Sequence, residues 1–232
     1  MVSQVRLSDN KGVLMEVQQV RGVSLVDAAY AALRAEILAA RIPPGEPLTE
    51  QGLATRFDIA RPTAKAAVER LVTEGLLVRT MHRSAHVPVL NAADIQDVFA
   101  LRELLERVAV VALASGKSVP TDAERALAEM EAADATGDVA RLVEADVAFH
   151  RALVSASGSL RRDRAHQQVM GEAQLAIIQD QVLLLEQAVG VAAEHRAILT
   201  AIAGGDAEAA ERLVAEHLGS VSRRVSNGAA TD

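Results

Sequence analysis

The chain has no cysteine and no tryptophan, and only one tyrosine and three phenylalanines among its 232 residues. Without thiols there is no disulfide framework, no thiolate zinc site and no cysteine nucleophile, which agrees with a reducing cytoplasm. Any transition metal held here must use imidazole and carboxylate. So few aromatic rings leave no platform for stacking the bases of single-stranded nucleic acid, whereas duplex DNA stays open as a partner. No apolar run nears the roughly 20 residues needed to cross a bilayer, and the N-terminus, MVSQVRLSDNKG, lacks the apolar core of a secretion signal. The expectation is a soluble, cytoplasmic protein with no membrane contact.

What is present divides unevenly. The net charge of −7 is not shared along the chain: residues 21–90 hold nine Lys/Arg against seven Asp/Glu, while residues 91–232 hold thirteen against twenty-two. A near-neutral N-terminal module and an acidic C-terminal one follow, and the first can meet DNA. Residues 1–20 show no sustained period and read as an arm. From Leu25 apolar residues recur at helical spacing, with Ser24 as N-cap and Asp27 in the first turn, which predicts a helix ending near Arg41. Pro43, Pro44, Gly45 and Pro47 then force an extended turn. Thr49 caps a short helix, Glu50 to Phe57, and a third runs from Arg61 to Glu74, where Gly75 stops it. Two β-prone runs, Leu76–Arg79 and Ala85–Leu90, flank polar residues as in a small hairpin.

Beyond Asn91 the pattern is helical throughout. Helices are expected at about 93–115, 121–136, 138–156, 160–187, 190–203 and 206–226, broken by Gly116/Pro120, Gly137, Gly158, Gly190 and Gly204–Gly205. The fold class is therefore mainly α: a winged helix-turn-helix at 21–90, an all-α bundle of about six helices at 91–226, and a tail at 227–232. The stretch Ala173–Val189 is apolar around much of its circumference, as a central bundle helix or a dimerisation face would be.

Two constellations bear chemistry. Asp146 and His150 lie four residues apart on one helix face, and His195 and His217 sit within two further helical patterns. One carboxylate oxygen and three imidazole nitrogens from three helices would suit zinc, nickel, manganese or iron, zinc being favoured. The plainer reading is an exposed Asp–His pair and core histidines with other partners. His82, His86 and His166 have no assignment. In the N-terminal module, Arg56, Arg61, Lys65 and Arg70 are either a DNA-facing set or a solvated helix face.

The segment LATRFDIARPTAKAAVERLVTEGLL and the preceding RIPPGEPLTE resemble the GntR family of bacterial regulators, over about Leu25 to Leu90. The resemblance implies a recognition helix with Arg61, Thr63 and Lys65 on double-stranded operator DNA, and Arg83 in the wing. The family's usual Arg-Glu pair is Lys65-Ala66 here, and the glycine frequent in the wing is Ser84. A point charge thus replaces a bidentate fork. Farther on, VFALRELLE, DVAFHRALVSASG, EHRAIL and AERLVAEHL look like the FadR-type C-terminal ligand-binding domain, called FCD. That likeness implies a divalent metal on Asp146, His150, His195 and His217, and Arg102 as the arginine that meets the carboxylate of a small organic-acid effector. An intrahelical pair of Arg102 with Glu103, Glu106 or Asp97 is the alternative. The implied function is a homodimeric regulator, a repressor rather than an enzyme, released or rearranged on its operator by effector. The alternatives are a regulator with a purely structural metal and a metal-dependent hydrolase, since the same donors can activate water.

Overall fold

A computed structural model describes residues 24–79, 84–179 and 190–228. The expected arm at 1–20, Arg83 and His82 in the wing tip, and the end of the helix expected to reach 187 lie outside these residues. Nine helices are present among the described residues: α1 Leu25–Leu38, α2 Glu50–Phe57, α3 Arg61–Thr73, α4 Ala92–Ser115, α5 Thr121–Thr136, α6 Val139–Ala156, α7 Leu160–Gln179, α8 Val191–Gly204 and α9 Ala207–Gly228. None of the described helices is long and apolar enough to cross a membrane.

Local chemistry accounts for most boundaries. Ser24 Oγ accepts from the Asp27 amide and Thr49 Oγ1 from the Gly52 amide, so each satisfies one of the amides left free in a first turn. Asn91 and Asp94 form a reciprocal capping box at the start of α4. The first helix stops at Leu38, short of Arg41, because Ala40 takes a positive φ of 53° and turns the chain toward Ile42 and the prolines. The expected hairpin is reduced to two antiparallel bridges, Val78 with His86 and Leu48 with Ala85. Leu48 enters this pairing from the Pro-rich turn, its amide donating to the Ala85 carbonyl at 2.7 Å while Gly45 donates to Val87 at 2.8 Å. The extended backbone that the prolines impose is what lets that segment pair with residues 85–87.

Three apolar clusters hold the elements together. One joins α1, α2, α3 and the bridged segments through Leu33, Leu53, Val68, Leu71 and Leu76, and Leu175 of α7 inserts into it. The largest lies among α4, α5, α6, α8 and α9, around Val110, Met130, Phe149, Leu153, Ile198 and Val214. A third binds α7 to α4 and α9 through Phe99, Val169, Ala173 and Val225. The helix α7 thus serves both modules, its core side chains placed at 166, 169, 170, 173 and 176 by the 3.6-residue period. Burying a Leu or Phe side chain contributes about 1.5–3 kcal/mol, so these clusters dominate the packing energy.

Candidate functional site

The helix α6 sets the centre of the bundle site. Its spacing directs Asp146 and His150 to one face, α8 contributes His195 and α9 contributes His217. One ligand atom from each lies within 4.8 Å of all the others. His195 Nε2 is 3.0 Å from Asp146 Oδ1, His150 Nε2 is 3.6 Å and His217 Nε2 is 4.0 Å away.

The outer ring nitrogens fix the tautomers. His150 Nδ1 lies 2.5 Å from Glu106 Oε2, His195 Nδ1 lies 2.7 Å from the Val191 carbonyl, and His217 Nδ1 lies 2.7 Å from Glu194 Oε2. Carboxylates and carbonyls only accept, so in each neutral ring the proton sits on Nδ1 and the Nε2 lone pair faces inward. His150 Nε2 and His195 Nε2 approach to 3.1 Å, a contact that needs a proton or another cation between them, and His217 Nε2 has no hydrogen-bond partner among the described residues. Such a cluster favours a bound cation, either a proton or a metal ion. A tetrahedral ion with ligand bonds of about 2.1 Å spaces its ligands by about 3.4 Å, within the range seen here. The donor set therefore fits a divalent metal ion.

Electrostatics point the same way. Burial pushes Asp146 upward, but the His150 charge and hydrogen bonds with His150 and His195 hold its carboxyl well below the usual range. Burial pushes His217 down to about 4, the neighbouring His195 and His150 adding to the effect against the Glu194 hydrogen bond. Burial and the Arg102 charge lower His150, but Glu106 and Asp146 outweigh them and its pKa is raised. A proton there partly relieves the cluster, and a metal would displace it.

Arg102 is fully buried beside the four ligands. Its Nε donates to Glu106 Oε1 at 2.7 Å, the intrahelical pair open to it from sequence, and its Nη2 is 3.9 Å from Asp146 Oδ2 with no hydrogen-bond partner among the described residues. Glu106 also accepts from His166 Nε2 at 3.0 Å. Burial raises the Glu106 pKa, but the charges of His150 and Arg102 and the hydrogen bonds from His150 and His166 bring it well below the ordinary value. Glu106 thus joins Arg102, His150 and His166 in one network. Of the residues without an assigned role, Glu106 was legible only as an i+4 partner of Arg102. His166, in a polar stretch, and Glu194, whose partner His217 is 23 residues away, gave no local signal.

In the N-terminal module, α3 begins without a side-chain cap and with Pro62 in its first turn. Arg61 is exposed and paired to Glu50 at 3.2 Å, Lys65 is exposed, and Thr63 is half-buried on the same helix. Arg70 pairs instead with Asp27 at 2.5 Å and lies over the Tyr30 ring, while Arg56 pairs with Glu36. The basic set is therefore split, and Arg61 and Lys65 remain the outward pair at the start of α3.

The family model described as bacterial regulatory proteins, gntR family, matches residues 25–87, and that of the FCD domain matches residues 97–220. The chain belongs to the GntR family. This GntR chain is 33% identical over 118 residues to the Nta operon transcriptional regulator of Aminobacter aminovorans, covering 49% of the chain but only 55% of that relative. Its match to the BphR regulator of Paraburkholderia xenovorans covers 34% of that protein. The match to LutR of Bacillus subtilis, at 26% identity, covers 78% of the chain and 91% of LutR. A GntR transcriptional regulator from Rhodococcus sp. RHA1 has the same fold, with a TM-score of 0.73 and 24% identity over 86% of this chain and 96% of that one.

Proposed function

We propose that this GntR-family chain is a homodimeric, DNA-binding repressor that leaves or rearranges on its operator when a small organic acid binds beside a divalent metal, zinc being favoured. Acting on DNA places it in the cytoplasm. The observation that bears the effector reading is the inward convergence of three imidazole lone pairs and Asp146 next to Arg102, whose buried Nη2 makes no hydrogen bond among the described residues. An unpaired buried donor costs about 1–3 kcal/mol, which a ligand carboxylate would recover. Asp146, His150, His195 and His217 would hold the ion, which supplies Lewis-acid positions for effector oxygens. Arg102 would orient the carboxylate, and Glu106 would hold Arg102 and His150 at a fixed separation. The separate apolar clusters support a division near residue 90. On α4 the exposed Leu101, Leu104 and Val108 share one face, a surface suited to pairing with a second copy.

A thermal-shift panel of small carboxylates on metal-loaded protein tests the effector. At least one should raise the melting temperature, and Arg102→Ala should abolish that rise while metal content stays near that of the parent. A responder indifferent to Arg102 rejects the pose. The existing Arg102–Glu106 pair favours a second reading, in which the metal is structural and no organic acid binds. A panel without any responder would favour it. The family match counts against the hydrolase alternative.

DNA reading is tested separately. Arg61→Ala and Lys65→Ala should each weaken binding to the DNA upstream of the protein's own gene, and each should lower the log–log salt slope by about one. Arg61 must leave Glu50 to reach DNA, so part of its gain is offset. Unchanged gel shifts and salt slopes for both variants would remove them from the interface.

A further inference from the structure

Glu74 closes α3 as its C-cap residue and gathers three donors. Tyr30 Oη donates to Oε2 at 2.5 Å, Arg34 Nε to Oε1 at 3.2 Å, and Arg151 Nη2 to Oε1 at 3.1 Å. Tyr30 and Arg34 belong to α1, but Arg151 comes from α6 and follows His150 directly. Arg34 also reaches Gln174 of α7 at 3.4 Å. Only 11% of the Glu74 side chain is exposed. Burial raises its pKa, yet the Tyr30 hydrogen bond and the Arg34 and Arg151 charges leave it lowered, so it is anionic at neutral pH.

The backbone meets at the same place. A Cβ on Gly171 of α7 would lie 1.8 Å from the Glu74 carbonyl oxygen, and one on Gly75 would lie 2.1 Å from the Gln168 carbonyl oxygen. The chain end of α3 therefore rests on α7 with no side chain between them. Beside this seam opens a cleft of about 420 Å³ bordered by Arg70, Glu74, Arg151 and Gln167. Among the described residues, Glu74 with Arg151 is a charged contact between α3 and α6.

We propose that Glu74 and Arg151 are positioning residues for DNA reading: they set the recognition helix against α6 and relay the state of the bundle site to it. The relay half rests on the metal site proposed above; the positioning half does not. Successive residues of a helix are about 100° apart, so His150 faces the bundle core while Arg151 faces the winged helix. A stiff helix moves as a unit. Any shift of α6 as His150 settles on an ion is imposed on Arg151, and through its bond to Glu74 on the end of α3.

The absence of native cysteine permits a direct test. Nitroxide labels on Thr55→Cys in α2 and Ser155→Cys in α6, both exposed sites, report the angle between modules by pulsed electron resonance, with labelled chains diluted in unlabelled ones. Without metal, the parent should give one narrow distance peak. Arg151→Met and Glu74→Gln should broaden it at least twofold with an unchanged far-ultraviolet spectrum, and Arg151→Lys should restore most of the narrowness. Parental widths in both Arg151→Met and Glu74→Gln would overturn the positioning role. Added zinc should shift the peak in the parent and not in Arg151→Met; an equal shift in both would overturn the relay. If elemental analysis finds no zinc bound, the metal site and the relay resting on it fail together, while the metal-free widths decide positioning by themselves.

Discussion

Zinc-loaded protein should melt about 8–16 °C above the metal-free chain, and the His150→Ala/His217→Ala double variant should show no rise. At free zinc a thousandfold above the dissociation constant, binding to the native state adds about 4 kcal/mol. For a chain of this length each kcal/mol moves the midpoint by about 2–4 °C. The physical reason is preorganisation: each of the three imidazoles has its outer nitrogen tied to Glu106, the Val191 carbonyl or Glu194, so the inner lone pairs converge before any ion arrives. In the metal-free cluster His150 Nε2 and His195 Nε2 are only 3.1 Å apart, so the ion takes the place of a proton between rings already gathered. Purified without chelator, the parent should hold about one metal per chain by elemental analysis. Glu106→Gln keeps the shape but weakens the acceptor on His150, and zinc affinity should drop by about 10–100-fold. A parent that emerges metal-free and does not respond to zinc, nickel, manganese or iron would end the metal reading.

Gly171→Ala should lower the melting temperature by roughly 2–8 °C, with the winged-helix module released first. Inside a helix this exchange ordinarily gains about 1 kcal/mol in propensity. Here the added methyl would stand 1.8 Å from the Glu74 carbonyl oxygen and 2.8 Å from its carbon, which are backbone atoms with no rotamer by which to withdraw. α7 and the end of α3 must separate, which strains the contacts of Glu74 and draws Leu175 from the N-terminal apolar cluster. Overpacking usually costs about 1–3 kcal/mol, and against backbone about 2–3, which exceeds the propensity gain by about 1–2 kcal/mol. Calorimetry should resolve an early transition, and amide exchange should quicken in residues 24–79. A variant as stable as the parent would mean that the seam yields without cost.

The helices were legible because each one announces itself locally. Ser24, Thr49 and Asn91 stand where first-turn amides need acceptors, and Gly137 and Gly205 stand where left-handed closure is needed. Apolar spacing at 3.6 residues supplied the rest, and in four of the six C-terminal helices the two ends fall within a residue of expectation. The exceptions are α7, whose expected end at 187 lies outside the described residues, and α9, which runs two residues past 226 to Gly228. The wing was less legible, since Leu48 joins it from across the chain and no sequence period records a pairing partner.

By itself the sequence determined which residue types were available for a metal: no thiol, one Asp–His pair at i+4, and three more histidines in helical segments. It also determined the helix-turn-helix through its order of prolines, short helix, Arg61 and Glu74-Gly75-Leu76. Only the tertiary structure decided that Glu106 links Arg102, His150 and His166, that Glu194 orients His217, and that Glu74 meets Arg151 across 77 residues of chain. Helical periodicity reports a face, because it depends on neighbours three and four residues away. Which face meets which is set by packing among α4, α6, α7 and α9, and the convergence of four ligand atoms is a property of that packing alone.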